Sequence, residues 1–237
     1  MAEVQAREGP PRANVIVTAG VHGDEPATPW ALLSLVRDGL LDPSFAYRLW
    51  PCTNPSGYAA GTRENAEGMD INRSFGRGGR AAEARAIMTA NRDRVFDLNL
   101  DLHEDFEATG FYCYEPAVDV KRLGPSVVRA IDEAGFPVQE LDEHYDLGYP
   151  EGARGFYRVE RGCVVPDVKA ELSLAPMLPH SIYLLRRSVK RSLTFESPRA
   201  LAWDDRIVIH RIAVVTALER LRALVERQTA VTGSVSM

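Results

Sequence analysis

The chain has 237 residues, 45% of them hydrophobic and 26% charged, which suits a folded soluble protein and excludes a disordered one. Its 28 Lys and Arg against 33 Asp and Glu leave a net charge of −5, so general nucleic-acid binding, which needs a broadly basic surface, is not expected. Three cysteines (Cys52, Cys113 and Cys163) are too few and too irregularly spaced for a disulfide framework or a Cys-based zinc site, and a reducing, cytoplasmic setting is expected.

The first thirteen residues carry Glu3, Arg7, Glu8 and Arg12 and no apolar core, so they do not read as a signal peptide. Residues 14–18 (NVIVT) follow a Pro-Pro break and predict a buried strand, with 20–25 as the loop after it. A helix is predicted over 26–38, its prolines confined to the first turn and Gly39 at its end. Phe45, Tyr47 and Leu49 alternate and predict a second strand reaching Trp50. Residues 52–79 are Gly- and Asn-rich and unperiodic, and long irregular segments of this kind tend to be functional.

A helix is predicted over 81–96, with Ala84, Ile87, Met88, Asn91 and Val95 on one side. Leu98, Leu100 and Leu102 alternate with Asp97, Asn99 and Asp101, giving a strand that ends at His103. A strand over 111–114 and a helix over 125–134, stopped by Gly135, come next. Residues 141–162 read as irregular, 192–196 as a strand, and 204–227 as a helix buried along Ile207, Val214, Leu218, Leu221 and Val225. The longest apolar runs are too short to span a membrane. Strands alternating with helices, with no repeat and no linker, predict one α/β domain over 1–237 with a parallel or mixed sheet.

In an open α/β sheet the ligand site lies beyond the carboxyl ends of the strands. After the first strand come His22 and Glu25, three apart at a turn entering a helix, so both can reach one ion. His103 follows the leucine strand, and Glu196 ends the strand over 192–196. Two imidazoles and a carboxylate are the ligand set of a catalytic zinc site that keeps a fourth position for water, and a further carboxylate can deprotonate that water. Asp101 shares a strand face with His103 and is expected beside the site, behind a ligand. Arg63 and Arg73 bring positive charge, suited to holding a substrate carboxylate or an oxyanion.

The ordered set of His-Gly-Asp-Glu at 22–25, Asn54-Pro55-Ser56-Gly57, Arg63, Asp-Ile-Asn-Arg-Ser-Phe at 70–75, Asp101-Leu102-His103 and Thr-Phe-Glu-Ser-Pro at 194–198 resembles the zinc carboxypeptidase superfamily. That superfamily includes pancreatic-type carboxypeptidases, bacterial murein-peptide amidases, and the aspartoacylase and succinylglutamate desuccinylase branch. The resemblance runs from Val15 to Leu218. It implies a single three-layer α/β/α domain around a mixed, about eight-stranded sheet. It implies Zn2+ bound by His22, Glu25 and His103, with Arg63 polarising the scissile carbonyl. Asn72 and Arg73 match the pair that holds the substrate's terminal carboxylate, and Glu196 matches the general base that activates water and later protonates the leaving amine.

The implied activity is hydrolysis of an amide next to a free carboxylate, on a small peptide by a metallocarboxypeptidase or, as the alternative, on an N-acyl amino acid by a deacylase. A non-catalytic binding module of the same fold is the rival from another class. An opening strand pair is expected to be missing, and the family's substrate-capping tyrosine has three candidates, Tyr145, Tyr157 and Tyr183. His144 reads as a solvated loop residue, His180 as structural within an irregular stretch, and His210 as a partly buried histidine beside the last helix's apolar stripe. Glu104 and Asp105 are expected to be exposed, and the cysteines to be small buried hydrophobes.

Overall fold

The computed structural model describes residues 1–7, 9–116, 118, 120–141, 157–173 and 178–234. In chain order the strands are β1 (Ala2–Val4), β2 (Asn14–Thr18), β3 (Ala46–Trp50), β4 (Leu98–Asp105), β5 (Tyr112–Tyr114), β6 (Tyr157–Glu160), β7 (Cys163–Pro166) and β8 (Ser192–Pro198). The helices are α1 (Ala27–Arg37), α2 (Pro55–Ala60), α3 (Ala82–Ala90), α4 (Gly124–Glu133), α5 (Val168–Ser173), α6 (His180–Arg187) and α7 (Trp203–Ser234), with a 3-10 turn at Ile71–Arg73.

The strands form one mixed eight-stranded sheet in the order β1-β3-β2-β4-β8-β5-β7-β6. Its middle is parallel, β3 to β2, β2 to β4 and β4 to β8, while β1, β5 and β6 run antiparallel to β3, β8 and β7. The fold is therefore the expected α/β type. One short strand, β1, precedes the predicted first strand and pairs antiparallel with β3.

The register divides the sheet into two chemically different faces. On one face Val15, Val17, Leu98, Leu100, Leu102, Leu193 and Phe195 pack with residues of α1, α4 and α7 in the largest core cluster. Burying each leucine stabilises by about 1.5–3 kcal/mol, so the three of β4 anchor this side. The other face carries Asn99, Asp101 and His103, in register with Ser192, Thr194 and Glu196 of β8. It is closed by smaller clusters, Ile71, Phe75, Ala84 and Ile87 in one and Ile16, Phe96 and Leu184 in the other. The polar face of β4 is thus buried rather than solvated, with α6 packed against β4 and β8.

Several elements differ from their sequence reading. The helix expected to reach residue 96 ends at Ala90, because Arg48 from β3 donates to the Ala90 carbonyl and to Asn91 Oδ1. Val95, expected on its buried side, is 66% exposed. The expected loop 52–79 holds α2, whose cap is written in the sequence: Asn54 accepts from Gly57 N at 2.9 Å, and Pro55 occupies the first turn. The short strands β6 and β7 and helices α5 and α6 escaped the periodicity reading. The buried face of α7 begins with Arg206, Ile209 and His210, while Ile207 is only partly buried. No helix among the described residues is long and apolar enough to cross a membrane.

Candidate active site

The carboxyl ends of β2, β4 and β8 meet at one edge of the polar face. The loop after β2 is fixed by Thr28, whose Oγ1 accepts from Gly20 N at 3.0 Å and donates to the Glu25 carbonyl at 3.0 Å. Gly23 lets this loop lie against α2, since a Cβ there would sit 1.9 Å from the carbonyl carbon of Gly57. Asn54 ties the far side of α2 to the Arg63 loop by donating from Nδ2 to the Arg63 carbonyl at 3.2 Å. The Asn-Pro-Ser-Gly motif is therefore scaffolding that sets the histidine loop beside the arginine loop.

His22, Glu25 and His103, each 3% exposed, converge there. Their potential ligand atoms all lie within 4.8 Å of one another. Glu25 Oε1 is 2.5 Å from His22 Nδ1, and Oε2 is 2.9 Å from His103 Nδ1. That second contact is not aligned as a hydrogen bond, and Glu25 Oε2 is a buried oxygen with no hydrogen-bond partner. Three converging donors with an orphaned carboxylate oxygen among them suit a shared divalent cation better than a set of pairwise bonds. Burial alone would raise the Glu25 carboxyl, but the two imidazoles hold it well below the usual range. Burial would lower His22, yet Glu25 and Asp70 push it up to about 9. His103 is likewise raised, Glu25 outweighing burial. A cation at this point would take the place of the protons these shifts retain.

Arg63 and Asp70 form the next layer. Arg63 Nε and Nη2 donate to Asp70 Oδ2 at 3.1 and 2.9 Å, and Nη1 lies 3.3 Å from His22 Nδ1. Asp70 Oδ1 is 3.4 Å from His22 Nε2 without a hydrogen bond between them, so one carboxylate orients the guanidinium and sets its charge beside the imidazole. Burial opposes its ionisation, but His22 together with Arg63 and Arg73 holds it well below the usual range. This role had been expected of Asp101. Asp101 instead faces His180 Nδ1 at 2.9 Å and accepts from Asn99 Nδ2 at 3.1 Å. The reason is depth: Asp101 lies two residues, about 6.6 Å, back along β4 from His103, beneath α6. Asp70 stood inside the Asp-Ile-Asn-Arg run, but nothing local in the sequence aimed it at His22.

Glu196 sits beside His103 in the β4–β8 register, with Tyr112 of β5 opposite on the other side. Burial raises its carboxyl to about 8, with His103 opposing and Glu25 and Asp105 adding to the rise. A carboxyl near neutrality can both take and return a proton. Asn72 is partly committed to the scaffold, its Oδ1 accepting from His180 N at 3.0 Å at the start of α6, where Pro179 offers no side-chain cap. Arg73 is exposed, and among the described residues no carboxylate lies within ion-pair distance of it.

The remaining residues resolve as follows. Glu104, expected to be exposed, is 3% exposed and bonded to Arg206, while Asp105 is partly exposed and accepts from Tyr112 Oη at 2.5 Å. His210 is fully rather than partly buried, its Nε2 3.0 Å from Ser197 Oγ, and burial drives its pKa down to about 3. His180 is fully buried at the head of α6, not in an irregular stretch. Tyr183 packs on Phe75, and Tyr157 packs against the cluster of Ala108, Tyr112 and Val164. His144 and Tyr145 lie outside the described residues. Cys113 and Cys163 are buried neighbours on β5 and β7, and Cys52 is only partly buried.

The model of the succinylglutamate desuccinylase/aspartoacylase catalytic domain matches residues 11–138. The chain belongs to this family. The matched range holds His22, Glu25, Arg63, Asp70, Asn72, Arg73 and His103, and stops before Glu196. Murein peptide amidase A of Escherichia coli strain K12 is 38% identical over 65 residues, which is 27% of this chain and only 26% of that protein. A candidate metallopeptidase of Shewanella amazonensis SB2B superposes with a TM-score of 0.69 at 24% identity, covering 91% of this chain and 79% of its own. The succinylglutamate desuccinylase/aspartoacylase of Rhodobacter sphaeroides superposes with a TM-score of 0.53 at 16% identity, covering 88% and 55%. At these identities the structural likeness is one of fold. Family and motifs agree on the zinc carboxypeptidase-like superfamily.

Proposed function

We propose that this family member is a zinc-dependent hydrolase that cleaves an amide bond next to a free carboxylate, acting on peptides as a metallocarboxypeptidase. The observation that carries the reading is the convergence of one potential ligand atom each from His22, Glu25 and His103 within 4.8 Å of one another, one strand away from Glu196. Bound by these three residues, zinc would act as a Lewis acid and make water a nucleophile near neutral pH. Glu196 takes the proton from the attacking water and delivers it to the leaving nitrogen. Arg63, held in orientation by Asp70, stabilises negative charge developing on the carbonyl oxygen. Arg73, exposed and without an ion pair among the described residues, pairs with the substrate's carboxylate together with the amide group of Asn72. The substrate is a small molecule, and the expected setting is the cytoplasm.

The family match over residues 11–138 favours a second reading, a deacylase of N-acyl amino acids. Both substrates place a carboxylate beside the scissile amide, and a screen of the zinc-loaded protein against C-terminally free peptides and N-acyl amino acids separates them. Glu196→Gln serves as the blank and is expected to retain zinc while losing turnover by at least about 100-fold, the usual contribution of a positioned proton-transfer group. Unchanged turnover in that variant removes Glu196 from the mechanism. A folded protein that takes up no zinc removes the hydrolase reading in favour of a binding module.

A further inference from the structure

The carboxyl end of β4 carries two adjacent buried residues that point to opposite faces. His103 faces the candidate metal centre, and Glu104 faces α1 and α7. Glu104 Oε2 accepts from Ala27 N at 2.9 Å, and Oε1 accepts from Arg206 Nη1 at 2.6 Å, with both side chains almost wholly inaccessible. Ala27 is the first residue of α1, two after Glu25. Pro26, at the cap of that helix, supplies no side-chain bond, and the first turn of α1 contains no acidic residue. Glu104 therefore provides, from 77 positions away, both the acceptor and the negative charge that a helix N-terminus requires. Arg206 keeps that carboxylate from being buried unpaired. One turn further along α7, His210 faces Ser197, the residue after Glu196.

We propose that Glu104 is a positioning residue for the metal centre, locking the Glu25 turn to the His103 strand, with Arg206 of α7 holding the Glu104 carboxylate from behind. The inference rests on reading His22, Glu25 and His103 as metal ligands. It assigns a function to a buried ion pair whose net contribution to stability can be near zero.

The test measures zinc affinity of the full chain by chelator competition, alongside melting temperature. Wild type comes first: no zinc uptake by wild type refutes the ligand reading itself, independently of the brace. With wild-type binding in hand, the double variant Glu104→Met/Arg206→Met removes both buried charges together, so neither is left unpaired, but leaves Ala27 N–H without its acceptor. Zinc affinity should fall by about 10–100-fold at a melting temperature near that of wild type. Wild-type affinity in the folded double variant overturns the proposal. If the double variant does not fold, Glu104→Ala/Arg206→Ala, which also removes both charges and the acceptor, decides by the same criterion. Ser197→Ala, which removes only the contact behind Glu196, should leave zinc affinity unchanged. An equal loss there would mean general loosening of α7 and would overturn the assignment to Glu104.

Discussion

Asp70 shows how much of this site depends on one side chain with two partners. Its Oδ2 receives both Arg63 bonds, and its Oδ1 faces His22 Nε2 at 3.4 Å. Replacing it with Asn removes the charge while keeping the shape, so the imidazole loses basicity and the guanidinium loses its fixed orientation. Asp70→Asn should therefore weaken zinc binding by about 10–100-fold, measured by chelator competition. It should also lower turnover further than loss of metal explains when assayed at saturating zinc. Wild-type values on both counts would leave Asp70 a bystander. The seven residues proposed as ligands, base and substrate contacts were singled out because motif order survives in the sequence, and the structure brings His22, Glu25 and His103 together beside Glu196. Asp70 and Glu104 were not, because their partners lie 48 and 77 positions away and only the folded chain brings them together.

At the scale of elements, the short helix α2 does more than its length suggests. Its N-cap Asn54 accepts from Gly57 N, while the same side chain donates to the Arg63 carbonyl, and Gly57 is where the Gly23 loop touches. Asn54→Ala should cost about 1 kcal/mol of stability, seen as a fall in the denaturant midpoint. Because the lost bonds also hold the Arg63 loop, substrate affinity should weaken more than stability alone accounts for. A variant with lower stability and unaltered KM would confine Asn54 to capping. Cap chemistry of this kind is readable locally, as Asn followed by Pro and Gly. Strand alternation was readable too, but its meaning reversed on β4, where polar alternation marked a second buried face. The helix α3 was expected but ends earlier than its sequence suggests, its end set by a long-range bond from Arg48 to the Ala90 carbonyl, and α6, on the β4 face, is too short to show a periodicity.

At the scale of the molecule, the sheet separates two kinds of interior, and acid should act through both. The apolar side includes, besides the paired Glu104 and Arg206, a buried histidine, His210, pushed down to about 3 from an ordinary 6.5. Between those two values the unfolded chain binds a proton there and the folded chain does not. Stability from this residue is thus fully present above pH 6.5 and is lost as pH falls toward 3. The full difference amounts to at most about 5 kcal/mol, a large share of a typical domain's stability. Glu25 and Asp70, both held below their ordinary range, add losses at still lower pH, whereas the raised His22 places its own loss on the alkaline side, near pH 9. Melting temperature followed from pH 7 down to pH 4 should fall steeply in the wild type. His210→Gln, which keeps a hydrogen-bonding group for Ser197 but cannot be protonated, should flatten that limb while starting from a somewhat lower value at pH 7. Parallel curves for the two proteins would show that His210 does not govern the acid limb.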